Sequence, residues 1–224
     1  MIDHKNLLLS EAKQESLWLI NYKFIFMIVM AIVILILFPF LNTQDFHIHL
    51  MIMVFLYAVM SQSWNVIAGF SGQISLGHVV FFGIGGYTSS FLFVEYGLTP
   101  WIGILIGMFF SIIVAILIGI PMLRLSGHYF AIATLLIGFS FQIIFQRWDL
   151  IGAASGLWIP LIWENSWYNL QFHDSKIPYY YIYLTFFILT YLFAWFLYKS
   201  KIGFKLRAIR DDPQASSSLG ISVS

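Results

Sequence analysis

The chain has 224 residues, 60% of them hydrophobic and only 9% charged, with eleven Lys and Arg against ten Asp and Glu for a formal net charge of +1. A soluble domain spends about a quarter of its residues on charge, so an ordinary water-soluble fold is excluded. The chain has no Cys, which also excludes disulfides, thiolate chemistry and Cys-ligated metals.

Uncharged stretches cover 24–44, 46–94, 96–123, 125–146 and 177–198. Each exceeds the roughly 20 apolar residues that cross a bilayer as a helix, and the second has room for two crossings. The expected fold is an all-α, polytopic transmembrane bundle of about six membrane segments. A cytoplasmic tail at 1–23, a membrane domain at 24–198 and a cytoplasmic segment at 199–224 divide it.

The tail alternates Lys5, Lys13 and Lys23 with Asp3, Glu11 and Glu15 and carries an apolar side, the pattern of a helix lying in the interface. The first crossing, 24–41, has no polar side chain and reads as lipid-facing. It is too long for a signal-peptide core, so it is expected to be retained. The second, 48–68, carries Ser61, Gln62, Ser63 and Asn65 in its inner half. In hydrocarbon these groups would lack partners, so that half must face protein or water.

Six glycines follow within 18 residues: Gly69, Gly72, Gly77, Gly83, Gly85 and Gly86. Each weakens a helix by about 1 kcal/mol relative to Ala, which favours a broken or re-entrant segment. Close helix packing through small residues is the alternative, and composition alone leaves both open. Thr99, Pro100 and Trp101 mark an outer boundary, and the crossing at 102–120 carries Gly103 and Gly107 at packing spacing. An inner turn at 121–128 holds Arg124, and 129–145 crosses outward. The outer segment 146–176 contains Trp148, Trp158, Trp163, Trp167 and Tyr168, aromatic types that favour the membrane interface. At this length it is more than a connector.

The last crossing covers 177–198. Beyond it Ile202, Leu206 and Ile209 recur at helical spacing among Lys201, Lys205, Arg207 and Arg210, the pattern of a basic amphipathic helix. Asp212 then stands as an N-cap before Pro213, and Gly220 as a stop, so a short second helix is expected between them. With alternating crossings, nine Lys and Arg fall on one side and two, Arg147 and Lys176, on the other. The positive-inside bias therefore puts the N-terminus and the final basic segment in the cytoplasm.

Three runs carry a resemblance: GFSGQISLGHVVFFGIGGY at 69–87, PMLRLSGHYFAIATL at 121–135 and GFKLRAIRDDPQASSSLGI at 203–221. In this order they resemble the permease subunits of ABC importers for branched-chain amino acids, over about residue 50 to the end. The resemblance implies a multi-pass permease domain in the bacterial inner membrane, moving branched-chain amino acids. The implied partners are a second homologous permease, two cytoplasmic ABC ATPases, a periplasmic binding protein and membrane lipid, with no nucleic acid. It also implies a coupling helix centred on Ala215 and ending at Gly220, with Arg207, Arg210 and Asp212 beside it, seated on the ATPase. A basic end that merely fixes orientation is the alternative. Related permeases continue for several further membrane segments, so the chain is expected to be a C-terminally shortened member or a fragment. The family's glycine-rich outer motif is only loosely echoed by 152–156.

The chain contains no phosphate-binding loop, so ATP is expected to be bound by partner subunits, with no cofactor in this chain and no enzymatic role. His4, His47, His49, His78, His128 and His173 form no His-Glu-x-x-His pair, and no metal site is expected. Two rival readings stand beside this one. The run 69–72 resembles the serine motif of rhomboid intramembrane proteases, which would use Ser71 with His128 as base. A secondary transporter normally carries intramembrane acids, and none of the ten acidic residues falls mid-span. Permeases for urea or short amides are close relatives and remain an alternative.

For the substrate route, the neutral polar residues Gln62, Ser63, Asn65, Gln73, Ser75, Tyr87, Thr88 and Ser89 suit a zwitterion that must pass without being held. For each, an interhelical hydrogen bond is the competing reading.

Overall fold

The computed structural model describes residues 26–41, 44–125 and 127–220, so the interfacial helix expected at 1–23 lies outside the described residues. The described elements are α1 (Phe26–Leu41), α2 (Asp45–Ser71), α3 (Val79–Tyr96), α4 (Pro100–Met122), α5 (His128–Arg147), α6 (Ile177–Lys199), α7 (Lys201–Asp211) and α8 (Pro213–Ser218). Five of these, α2 to α6, are long and apolar enough to cross a membrane, and α1 is a shorter apolar helix. The expected all-α polytopic bundle is thus found.

The chain divides into a unit up to Leu50, which holds α1, and a unit from Met51 onward. In the second unit α2 packs on α6 through Phe55, which meets Tyr180 edge-on at 5.3 Å and stacks on Phe187 at 5.7 Å. Helix α3 packs against α4 at very close range. A Cβ added at Gly107 would stand 2.9 Å from the Gly85 carbonyl oxygen, and one added at Gly103 would stand 2.8 Å from the Ser89 Cα. Around these seams large apolar side chains point outward, Leu105 at 61% exposure and Leu117 at 67%, as a lipid-facing surface requires.

The helix ends follow local chemistry. Pro100 and Pro213 occupy first-turn positions where no amide donor is needed. Helix α3 stops at Gly97, whose φ of 62° lets its amide reach Phe93 while Leu98 reaches back to Leu92, a Schellman closure. Both readings of the glycine cluster are realised, at different residues. Backbone leaves the helix only between Ser71 and Val79, while Gly83, Gly85 and Gly86 lie inside the continuous α3.

The long segment between α5 and α6 folds into two 3-10 turns, Asp149–Ile151 and Ala153–Ser155, and a bridge pairing Ser166 with Gln171. Gln171 holds it from within, accepting from Ile162 N–H at 2.8 Å and donating to the Pro160 carbonyl at 2.9 Å. The segment is tied to the α3–α4 connection where Thr99 Oγ1 donates to Tyr168 O and Trp101 Nε1 donates to Trp167 O.

Candidate functional site: a broken helix pair, a polar groove and a capped terminal helix

Helix α2 ends at Ser71 and α3 begins at Val79, leaving seven residues whose backbone groups need partners from elsewhere. Trp64 Nε1 donates to the Ser75 carbonyl at 2.7 Å. The Leu76 amide donates to Thr134 Oγ1 at 3.0 Å, and that hydroxyl donates to Ala131 O. Gly77 lies so close to α5 that an added Cβ would stand 2.7 Å from the Thr134 carbonyl oxygen. Arg210 Nη1 donates to the Gly69 carbonyl at 2.7 Å. The break is therefore pinned from α2, α5 and α7 at once.

Beside it, a groove of about 860 Å³ is lined by Tyr57, Gln62, Trp64, Asn65, His78 and Tyr191. His78 Nδ1 is sealed from solvent. Burial lowers the His78 imidazole below the ordinary histidine range, against a smaller upward pull from the Ser75 backbone.

Of the residues expected to line a route, Gln62 and Asn65 share this groove. Tyr87 and Thr88 line a different cavity of about 650 Å³ among α3, α4 and α5, whose walls are almost wholly apolar. Ser63 Oγ donates to Val59 O within its own helix. Ser75 is buried at 6% exposure and serves through its carbonyl. Ser89 Oγ reaches the Pro100 carbonyl at 3.5 Å in the α3–α4 seam, and Gln73 is half-buried in the break. The structure thus brings Gln62 and Asn65 together, Tyr87 and Thr88 together, and does not join the two pairs. Sequence reasoning missed Trp64 and Thr134. Trp64 sits inside the polar cluster and Thr134 inside the 121–135 run, but a side chain satisfying a distant backbone group leaves no local pattern.

The C-terminal helices carry the other candidates. Helix α7 follows α6 after Ser200, which donates to Leu197 O at 2.7 Å and accepts the Gly203 amide at 3.1 Å. Arg207 lies over the Tyr198 ring, 3.7 Å from its centroid, and donates to the Tyr198 carbonyl. Tyr198 in turn meets Phe70 edge-on at 5.8 Å. The Asp212 carboxylate accepts from Gln214 N–H at 2.9 Å and Ala215 N–H at 3.0 Å, the expected N-cap, and Gly220 follows α8 at φ 79°. Ser216 is buried while Ala215 is exposed.

Ser71 Oγ donates to the Ile67 carbonyl at 2.7 Å, so its hydroxyl is bonded within α2 rather than to an imidazole. Among the described residues no cluster of three His, Asp or Glu could hold a metal ion.

The chain is 28% identical over 207 residues to the high-affinity branched-chain amino acid transport system permease protein LivM of Salmonella typhimurium, covering 82% of this chain and 48% of that protein. It is 27% identical over 198 residues to LivM of Escherichia coli, covering 78% of this chain and 46% of the relative. It thus spans about half the length of the curated relatives it matches. No solved structure matches. The family model described as branched-chain amino acid transport system / permease component matches residues 46–224, the stretch that holds the broken helix pair, the groove and the capped terminal helix, and the chain belongs to that family.

Proposed function

We propose that the chain is the membrane-crossing permease subunit of an ATP-driven importer that brings branched-chain amino acids across the bacterial inner membrane, with its N-terminus in the cytoplasm. A family match running from α2 to the C-terminal helix, with relatives named for this transport, carries the reading. The physical features support it. Gln62 and Asn65 offer neutral polar groups in a groove large enough for an amino acid, so a zwitterion can be solvated and released without a fixed counter-charge. Helix α8, capped at Asp212 and presenting Ala215, is a small docking element for a cytoplasmic ATPase, with Arg207, Arg210 and Gly220 fixing its approach. ATP is bound by that partner. A second permease would face the open side of the groove, and a periplasmic binding protein would deliver the substrate. The membrane domain is 24–198 and the coupling segment 199–224.

The test is uptake in proteoliposomes containing the chain, the second permease and the ATPase, with binding protein and labelled leucine, isoleucine, valine or urea. ATP-dependent accumulation of the three amino acids supports the reading. Accumulation of urea alone would reassign the substrate class, and uptake without ATP would remove the importer mechanism.

A further inference from the structure

Gly69 is gripped from two sides. The Asn65 side chain occupies the space a Cβ on Gly69 would need, and Arg210 Nη1, from 141 residues away in sequence, donates to the Gly69 carbonyl. That carbonyl lies in the last turn of α2, where the helix leaves acceptors without intrahelical partners and favours a cation. The Arg210 stem crosses the next turn so closely that a Cβ on Gly72 would stand 2.7 Å from Arg210 Cγ, and Gly72 itself has φ 72°. Asp211 accepts from Nε and Nη2 of the same guanidinium at 3.0 and 2.8 Å, which fixes the plane that aims Nη1 at the carbonyl. At its other end α7 is held to α6 by Ser200 and by the stacking of Arg207 on Tyr198.

We propose that Arg210 is a positioning residue for transport: a latch that makes the break between α2 and α3, and with it the Asn65 wall of the groove, follow movement of α7 and α8. The proposal rests on the importer reading for the source of that movement. It assigns Gly72 a role in the same device, because only a residue without Cβ lets the arginine lie across the break. Arg210 is 42% exposed, but a direct hydrogen bond to one carbonyl is a short-range contact that transmits a displacement, as attraction across solvent, screened by salt, would not.

The native chain lacks Cys, so a spin label at Ile74→Cys, in the break and 55% exposed, reports local motion on a clean background. In the assembled complex, Arg210→Gln and Gly72→Ala are expected to lower amino acid taken up per ATP hydrolysed about tenfold, within the range of coupling between distinct sites. Both should also abolish the ATP-dependent change in the Ile74 label. Arg210→Lys, which keeps a donor for Gly69 but loses the paired Nε and Nη2 bonds to Asp211 Oδ1, should recover part of both. Lys205→Gln, the loss of an exposed neighbouring charge, should change neither. An uptake-to-hydrolysis ratio unchanged in Arg210→Gln, or reduced equally in Lys205→Gln, overturns the latch. A wild-type complex that fails to import overturns the importer reading instead. The latch is then judged in the chain alone in nanodiscs, where Arg210→Gln must loosen the Ile74 label or the proposal falls.

Discussion

Thr134 does two jobs with one oxygen: it accepts the Leu76 amide from the broken segment and donates to Ala131 in its own helix. Replacing it with Val keeps shape and removes both. The Leu76 amide would then be left without its acceptor, at a cost of about 1–3 kcal/mol. Thr134→Val is therefore expected to lower the thermal stability of the detergent-solubilised protein and to speed hydrogen exchange at Leu76, while Thr134→Ser leaves both near wild type. Equal behaviour of the two variants would mean that the bond contributes nothing. Residue by residue, the sequence was legible where chemistry acts on its near neighbours. Asp212 caps amides two and three residues on, and Gly220 takes a left-handed conformation two residues after the helix it follows. Arg210 read as a basic residue of the coupling segment, and its hold on the end of α2 was not legible, since its partner is a carbonyl 141 residues away.

Helix α4 separates the two uses of glycine in this fold. Gly107 faces α3, where an added Cβ would meet the Gly85 carbonyl oxygen at 2.9 Å, whereas one at Gly119 meets nothing within 4 Å. Backbone cannot rotate away as a side chain can, so Gly107→Ala should force the helices apart at about 1–3 kcal/mol, offsetting any gain in helix propensity. Gly119→Ala keeps that gain, up to about 1 kcal/mol. Melting temperatures should rank Gly119→Ala above wild type and wild type above Gly107→Ala; the reverse order would refute the α3–α4 seam. The four-residue spacing of Gly103 and Gly107 already pointed to packing, but spacing cannot name the partner. Nor could composition apportion the cluster at 69–86. A glycine costs a helix the same whether it breaks it or admits a neighbour, and the difference lies in whether another element approaches, as α4 does at Gly85 and Arg210 does at Gly72.

At the scale of the molecule, two contacts fix which connections share a side of the membrane. Between Gly69 and Arg210 the chain passes through α3, α4, α5 and α6. Four crossings return it to the side it left, as the bond between these residues requires. Between Trp101 and Trp167 it passes through α4 and α5, and two crossings again return it, in accord with the hydrogen bond that joins them. The side carrying the α2–α3 break, the α4–α5 turn and the C-terminal helices holds Arg124, Lys199, Lys201, Lys205, Arg207 and Arg210, six basic residues against Arg147 and Lys176 on the other. Under the proposed orientation, the positive-inside bias predicts that the six face the cytoplasm. Single cysteines test both the parity and its sign, with no native thiol to confuse the readout. A membrane-impermeant maleimide added to intact cells should label Trp163→Cys, a position 83% exposed, and should reach Leu123→Cys and Ser217→Cys only after lysis. Labelling of Ser217→Cys from the same side as Trp163→Cys would contradict the crossing count. If Ser217→Cys and Leu123→Cys were instead labelled outside while Trp163→Cys was protected, the count would stand but the proposed docking of α8 on a cytoplasmic ATPase would fall.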